Sequence, residues 1–84
     1  VAYNITLNKS AIRFLEKINE PFYSRIKEAI YNLGENPRPQ GSLKLKNRDG
    51  FRIRVGDYRI IYNILEDIVT VNIINLGHRR NIYD

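Results

Sequence analysis

The stretch Phe51-Arg-Ile-Arg-Val55 alternates apolar and cationic residues without a break and then meets Gly56-Asp57. Strict period-2 alternation suits an extended chain, because successive side chains of a strand point to opposite faces. Gly supplies the positive φ that a two-residue hairpin turn needs, so a second strand over Tyr58–Leu65 folds back on the first. Glu66-Asp67 reads as a second turn and Ile68–Leu76 as a third strand. Phe51, Ile53 and Val55 then share one face, and Arg52 and Arg54 the other. Across the turn Tyr58, Ile60, Tyr62 and Ile64 take the apolar face, while Arg59, Ile61 and Asn63 stand with the arginines.

What precedes this meander supplies a cover for its apolar face. Residues 2–7 alternate, with Tyr3, Ile5 and Leu7 on one side of a first strand. Asn8 or Ser10 can cap a helix whose stripe is Ala11, Phe14, Leu15 and Ile18, ending near Asn19. Pro21 suits the first turn of a second helix, which carries Phe22, Ile26, Ala29, Ile30 and Leu33 on one face. Gly34 is expected as its left-handed terminus, and Pro37 and Pro39 forbid continuation. Residues 35–50 are a long basic connection in which Leu43 and Leu45 alternate with Lys44 and Lys46. The expected class is therefore α+β in the order β-αα-βββ, a helical hairpin packed on one face of a mostly antiparallel four-stranded sheet. Eighty-four residues hold one such domain, residues 1–84, and no second core.

Composition removes several chemistries. There is no Cys, which excludes disulfides and thiol nucleophiles, and the single His excludes a His-based metal cage or a His-pair mechanism. No apolar run approaches the ~18 residues of a membrane span, and the start carries no signal-peptide pattern, so a soluble, cytoplasmic domain without membrane partner, metal or cofactor is expected. The net charge is +5, and its distribution is uneven. Residues 37–65 hold seven basic residues (Arg38, Lys44, Lys46, Arg48, Arg52, Arg54, Arg59) against Asp49 and Asp57, while the flanking segments nearly balance. A concentration of this kind favours a polyanion, of which nucleic acid is the usual one.

Each cation also has an ordinary explanation. Arg52 and Arg54 on an edge strand discourage sheet-to-sheet aggregation. Arg59, a lone cation in an apolar run, needs either a partner such as Asp57 or Glu66 or a ligand site. Convergence of Lys44, Lys46, Arg52, Arg54 and Arg59 on neighbouring elements favours a phosphate-binding surface. A second constellation, Gly77-His-Arg-Arg-Asn-Ile-Tyr-Asp84, follows the last strand and can bring His78, Arg79, Arg80 and Tyr83 back to the arginine face. Singly, these residues are ordinary surface histidine, arginine and tyrosine.

The hairpin Arg52-Ile-Arg54-Val-Gly-Asp-Tyr-Arg59-Ile-Ile-Tyr62, the following strand and Gly77-His-Arg-Arg-Asn-Ile-Tyr83 resemble the RelE toxins of the RelE/ParE superfamily over essentially the whole chain. The resemblance implies a single toxin domain, neutralised by an antitoxin protein, that enters the ribosomal A site and cuts mRNA there, inhibiting translation. It implies a metal-independent attack of the ribose 2′-OH on the adjacent phosphate. By position, Arg59 is assigned to the scissile phosphate, Arg79 to the leaving group, and Tyr83 to base stacking or the 2′-OH. Arg52 and Arg54 stand where the family has two basic residues, often lysines. Lys44, Lys46, Arg48 and Arg80 would contact RNA. Arginine cannot act as a base, so Tyr83 or His78 is left as the proton acceptor, with His78 better matched to neutral pH. Alternative readings are a ParE-type poison of DNA gyrase without its own active site, and a non-catalytic nucleic-acid module, which would need aromatics on the open face.

Overall fold

A computed structural model describes residues 2–78 and Arg80. The elements run β1 (Asn4–Leu7), α1 (Lys9–Glu16), α2 (Phe22–Glu35), β2 (Leu43–Lys44), β3 (Phe51–Val55), β4 (Tyr58–Leu65), a 3₁₀ turn (Glu66–Ile68) and β5 (Thr70–His78). The helical hairpin and the antiparallel β3–β4–β5 meander are as expected, but the sheet has five strands, not four, in the order β1-β5-β4-β3-β2. The extra strand is the Leu43–Lys44 pair, which bonds to β3 opposite Arg52 and Phe51. β1 lies parallel to β5 and every other pairing is antiparallel. The two helices thus carry the chain from one edge of the sheet to the other, covering a single face.

The main core lies between that face and the helices. Ala11, Ile18, Ile26, Ile30 and Leu33 meet Ile53, Ile60, Tyr62, Val71, Ile73 and Leu76, with Phe14, Leu15, Phe22 and Tyr58 packed around them. These are the stripes that the helical and period-2 spacings select. The buried Tyr62 hydroxyl donates to the Pro37 carbonyl at 2.7 Å, which satisfies the one polar atom its ring carries inside.

Three local expectations are corrected. Helix α1 stops at Glu16 rather than near Asn19, and Asn8, at its N-cap, makes no side-chain cap bond. Its Oδ1 instead accepts from Asn72 across the sheet at 3.2 Å. Gly34 lies inside α2, which runs to Glu35. It is buried beneath β1: its carbonyl accepts from the Tyr3 amide at 2.7 Å, and a Cβ there would sit 3.0 Å from the Tyr3 carbonyl oxygen. Glycine thus serves close approach here, not a left-handed terminus. The second turn is longer than Glu66-Asp67. A 3₁₀ turn is followed by Val69 in the left-handed region, φ +48°, so β5 begins at Thr70.

Candidate nucleic-acid interface

Paired residues in an antiparallel ladder project to the same face, about 4.5–5.5 Å apart. Register in the β3–β4 hairpin places Arg54 opposite Arg59, and Arg52 opposite Ile61. On the far side of β4, Arg59 faces Gly77 and Ile61 faces Asn75. The face without helices therefore carries a row Arg54–Arg59–Gly77 and, one step along, a row Arg52–Ile61–Asn75. Arg54 is exposed and Arg52 and Arg59 are half-buried, with Nε and Nη1 of Arg52 and Nε of Arg59 shielded from solvent. Like charges directly opposite one another destabilise a ladder. The register gathers three guanidinium groups within two adjacent rows of this face.

A small second apolar cluster lies on this open face. Leu45 and Ile61 are buried against each other with Ile74 beside them. Leu45 reaches the sheet from the loop after β2, where its amide donates to the Gly50 carbonyl at 2.9 Å. The connection is thus extended against the sheet, as its alternation suggests, but against the open face rather than the helix-side core. Ile74 comes to this side because β5 bulges there: Ile61 pairs with Asn75 and Tyr62 with Ile73, so one extra residue intervenes. At the bulge the Leu76 amide donates to Asn75 Oδ1 at 2.9 Å.

The sequence candidates do not all converge. Arg52, Arg54 and Arg59 come together. Lys44 pairs with Phe51 and so takes the helix-side face. Lys46 and Arg48 are exposed in the bend at 46–49, on the loop that Leu45 anchors. His78 pairs with Tyr58 and packs edge-on against its ring, centroids 5.8 Å apart, on the helix side. The strand alternation that lines up the arginines thus directs His78 away from them. Arg80 is exposed, and its amide donates to His78 Nδ1 at 3.3 Å. Arg79 and Tyr83 lie outside the described residues. The strand aromatics Phe51, Tyr58 and Tyr62 all pack in the helix-side cluster.

Glu66, one of the partners considered for Arg59, is taken elsewhere. It accepts the Tyr3 hydroxyl at 2.6 Å and lies 3.4 Å from the Arg38 guanidinium. The Tyr3 bond, with Arg38 assisting, holds the Glu66 carboxyl below its ordinary range, and the same bond holds the Tyr3 phenol above its own. Arg38 also lies over the Phe51 ring at 5.5 Å, which removes it from the cationic row. Two concavities had no sequence signal, since each is assembled from distant segments. One of about 360 Å³ lies at the free end of the β2–β3 ladder, and one of about 210 Å³ lies between β1 and the helices. Among the described residues, no group of three or more His, Cys, Asp or Glu could hold a metal ion, and no helix is long and apolar enough to cross a membrane.

A helical hairpin on one face of a five-stranded sheet, with arginines gathered on the other, defines the architecture of a small toxin class. The family described as "ParE toxin of type II toxin-antitoxin system, parDE" matches residues 5–83. The chain belongs to this family and so to the RelE/ParE superfamily. The relatives it resembles include toxins of the RelE type. A Methanocaldococcus jannaschii protein named as toxin RelE1 is 26% identical over 85 residues, 96% of this chain and 94% of its own. A chain of the RelBE2 toxin–antitoxin complex of Mycobacterium tuberculosis superposes with a TM-score of 0.81 at 27% identity, covering 94% of this chain and 100% of that one. A chain of the archaeal RelE–RelB complex of Pyrococcus horikoshii gives 0.80 at 25%, covering 98% and 100%. The protein is a type II toxin of the RelE/ParE superfamily.

Proposed function

We propose that the protein is a ribosome-dependent mRNA endoribonuclease, neutralised by an antitoxin protein, that cuts in the A site and inhibits translation. The observation that carries this is the cross-strand pair Arg54–Arg59 with Arg52 one step away on the same face. In the reaction the ribose 2′ oxygen bonds to the adjacent phosphorus and the bond from phosphorus to the 5′ oxygen breaks. The products are a 2′,3′-cyclic phosphate and a 5′-hydroxyl. The 2′-OH proton passes to an acceptor, and the 5′ oxygen takes up a proton from solvent. Charge building on the phosphoryl oxygens is met by Arg59 and Arg54, pre-arranged by the hairpin. Arg52 holds the flanking backbone, and Lys46, Arg48 and Arg80 are assigned to RNA beyond the cut.

Arginine stays protonated, so none of the arginines removes the 2′-OH proton. We assign that step to Tyr83 and leaving-group stabilisation to Arg79. His78 lies on the other face, against Tyr58. The toxin–antitoxin complexes among the structural relatives support an antitoxin partner. Toeprinting on ribosomes with an empty A site tests the reading: a cut within the A-site codon, absent on naked mRNA, is expected. A folded, antitoxin-free protein that leaves the message intact would refute it.

A second reading has one observation of its own, the match to the ParE family. It makes the protein a gyrase poison with no active site, and a supercoiling assay that accumulates cleaved DNA only with the protein present would favour it. A plain nucleic-acid module is less well supported, since the strand aromatics are turned to the helices.

A further inference from the structure

We propose that the cleft at the free end of the β2–β3 ladder is a nucleobase subsite for single-stranded RNA. This rests on RNA being the substrate of the open face and adds what holds a base there. The cleft, about 360 Å³, is lined by Gln40, Gly41, Leu43, Arg52, Ile53 and Arg54. That volume is at the low end for ligand sites and suits one base rather than two.

Four features give it this chemistry. β2 pairs only with Arg52 and Phe51, so β3 runs three residues beyond its last β2 partner. An edge of this kind offers backbone N–H and C=O groups, which can meet the polar edge of a base. Leu43 stands opposite Arg52 and is 52% exposed. A lone exposed leucine is unremarkable on a flat surface, but here it walls a concavity beside two guanidinium groups. Gln40 adds a carboxamide, both donor and acceptor. Gly41 has φ +94°, and a Cβ built there would meet nothing within 4 Å, so that wall is open for entry.

A base has apolar faces, a hydrogen-bonding rim and an attached phosphate. Leu43 and a guanidinium plane suit the faces, Gln40 and the β3 edge suit the rim, and Arg52 and Arg54 suit the phosphate. The packing of the strand aromatics on the helix side makes Leu43 the apolar contact at this edge of the open face. An extended peptide could also pair with the β3 edge, but the two arginines lining the cleft favour a phosphate-bearing ligand.

The test is fluorescence anisotropy with two RNA hexamers at one salt concentration, one intact and one abasic at every position. The wild-type protein should bind the intact hexamer tighter by about 5-fold, within the range of a single stacked base. Leu43→Ser with Gln40→Ala should bring that ratio close to one, leaving the abasic affinity and the melting temperature unchanged. A ratio unaltered in the double variant overturns the subsite, as does a wild-type ratio of one with RNA still bound. A wild-type protein that binds neither hexamer also overturns the subsite, whereas the RNA reading itself falls only if A-site toeprinting shows no cut.

Discussion

Arg54 and Arg59 face each other across a hairpin, and a facing pair of like charges opposes folding. Their removal should separate function from stability. Arg59→Ala is expected to lower A-site cleavage by about 10²–10³-fold, the usual effect of deleting one donor to a developing oxyanion, while the melting temperature stays level. Arg54→Ala, at the exposed partner, should leave the melting temperature level or raise it. Single-turnover cleavage and thermal melts on the same preparations read both. A melting temperature that collapses in step with activity would mean that the arginines hold the sheet rather than a phosphate. Residue identity was the most legible scale in the sequence, because period 2 directly determines which of Arg52, Ile53, Arg54 and Val55 share a face. The same rule misdirects beyond the reach of a single run: sequence proximity groups Lys44 with the arginines, but pairing with Phe51 turns it to the helix side.

At the scale of elements, what the sequence concealed is contact between distant segments. Nothing local shows that β1 lies parallel to β5, that β5 bulges at Ile74, or that α2 presses on the chain before β1. Gly34 records the last of these. In an exposed helix, Gly→Ala would gain about 1 kcal/mol from propensity. Here the new Cβ would lie 3.0 Å from a backbone oxygen, and the 2.7 Å Tyr3–Gly34 bond would have to give. Gly34→Ala should therefore show no gain in urea denaturation, and a clear gain would contradict the close packing. The Tyr3–Glu66 bond ties the start of β1 to the turn before β5. Because the folded Glu66 carboxyl is lowered from 4.5, its contribution is complete above that value and is lost as pH falls through the lowered one. The Tyr3 phenol is raised from 10.0, so its contribution is complete below that value and is lost as pH rises through the raised one. The melting-temperature gap between wild type and Tyr3→Phe should be widest between about pH 5 and 9 and narrow at both extremes. A gap that ignores pH would assign the loss to ring packing alone.

For the whole molecule, the clustered charge of the sequence is a starting point that folding redistributes. Of the seven cations between residues 37 and 65, Arg38 is drawn to Glu66 and Phe51, and Lys44 to the helix side. Lys46 and Arg48 ride the loop that Leu45 pins to the open face, and three arginines occupy that face itself. Bound RNA would therefore meet three cations in the sheet and up to three more, Lys46, Arg48 and Arg80. Counterion release from a single strand gives a slope of about −0.7 per phosphate contact in a plot of log affinity against log salt. RNA binding should then show a slope between about −2 and −4, shallower by about 0.7 in Arg54→Ala and unchanged in Lys44→Ala. The lysine is the decisive variant, because it carries the same charge as its neighbours in sequence and differs only in the face on which pairing places it. If Lys44→Ala flattens the slope as much as Arg54→Ala does, the strand wraps the β2 edge and contacts both faces. If only Arg54→Ala does, the open face alone carries the RNA, and the basic segment acts through its register rather than its charge count.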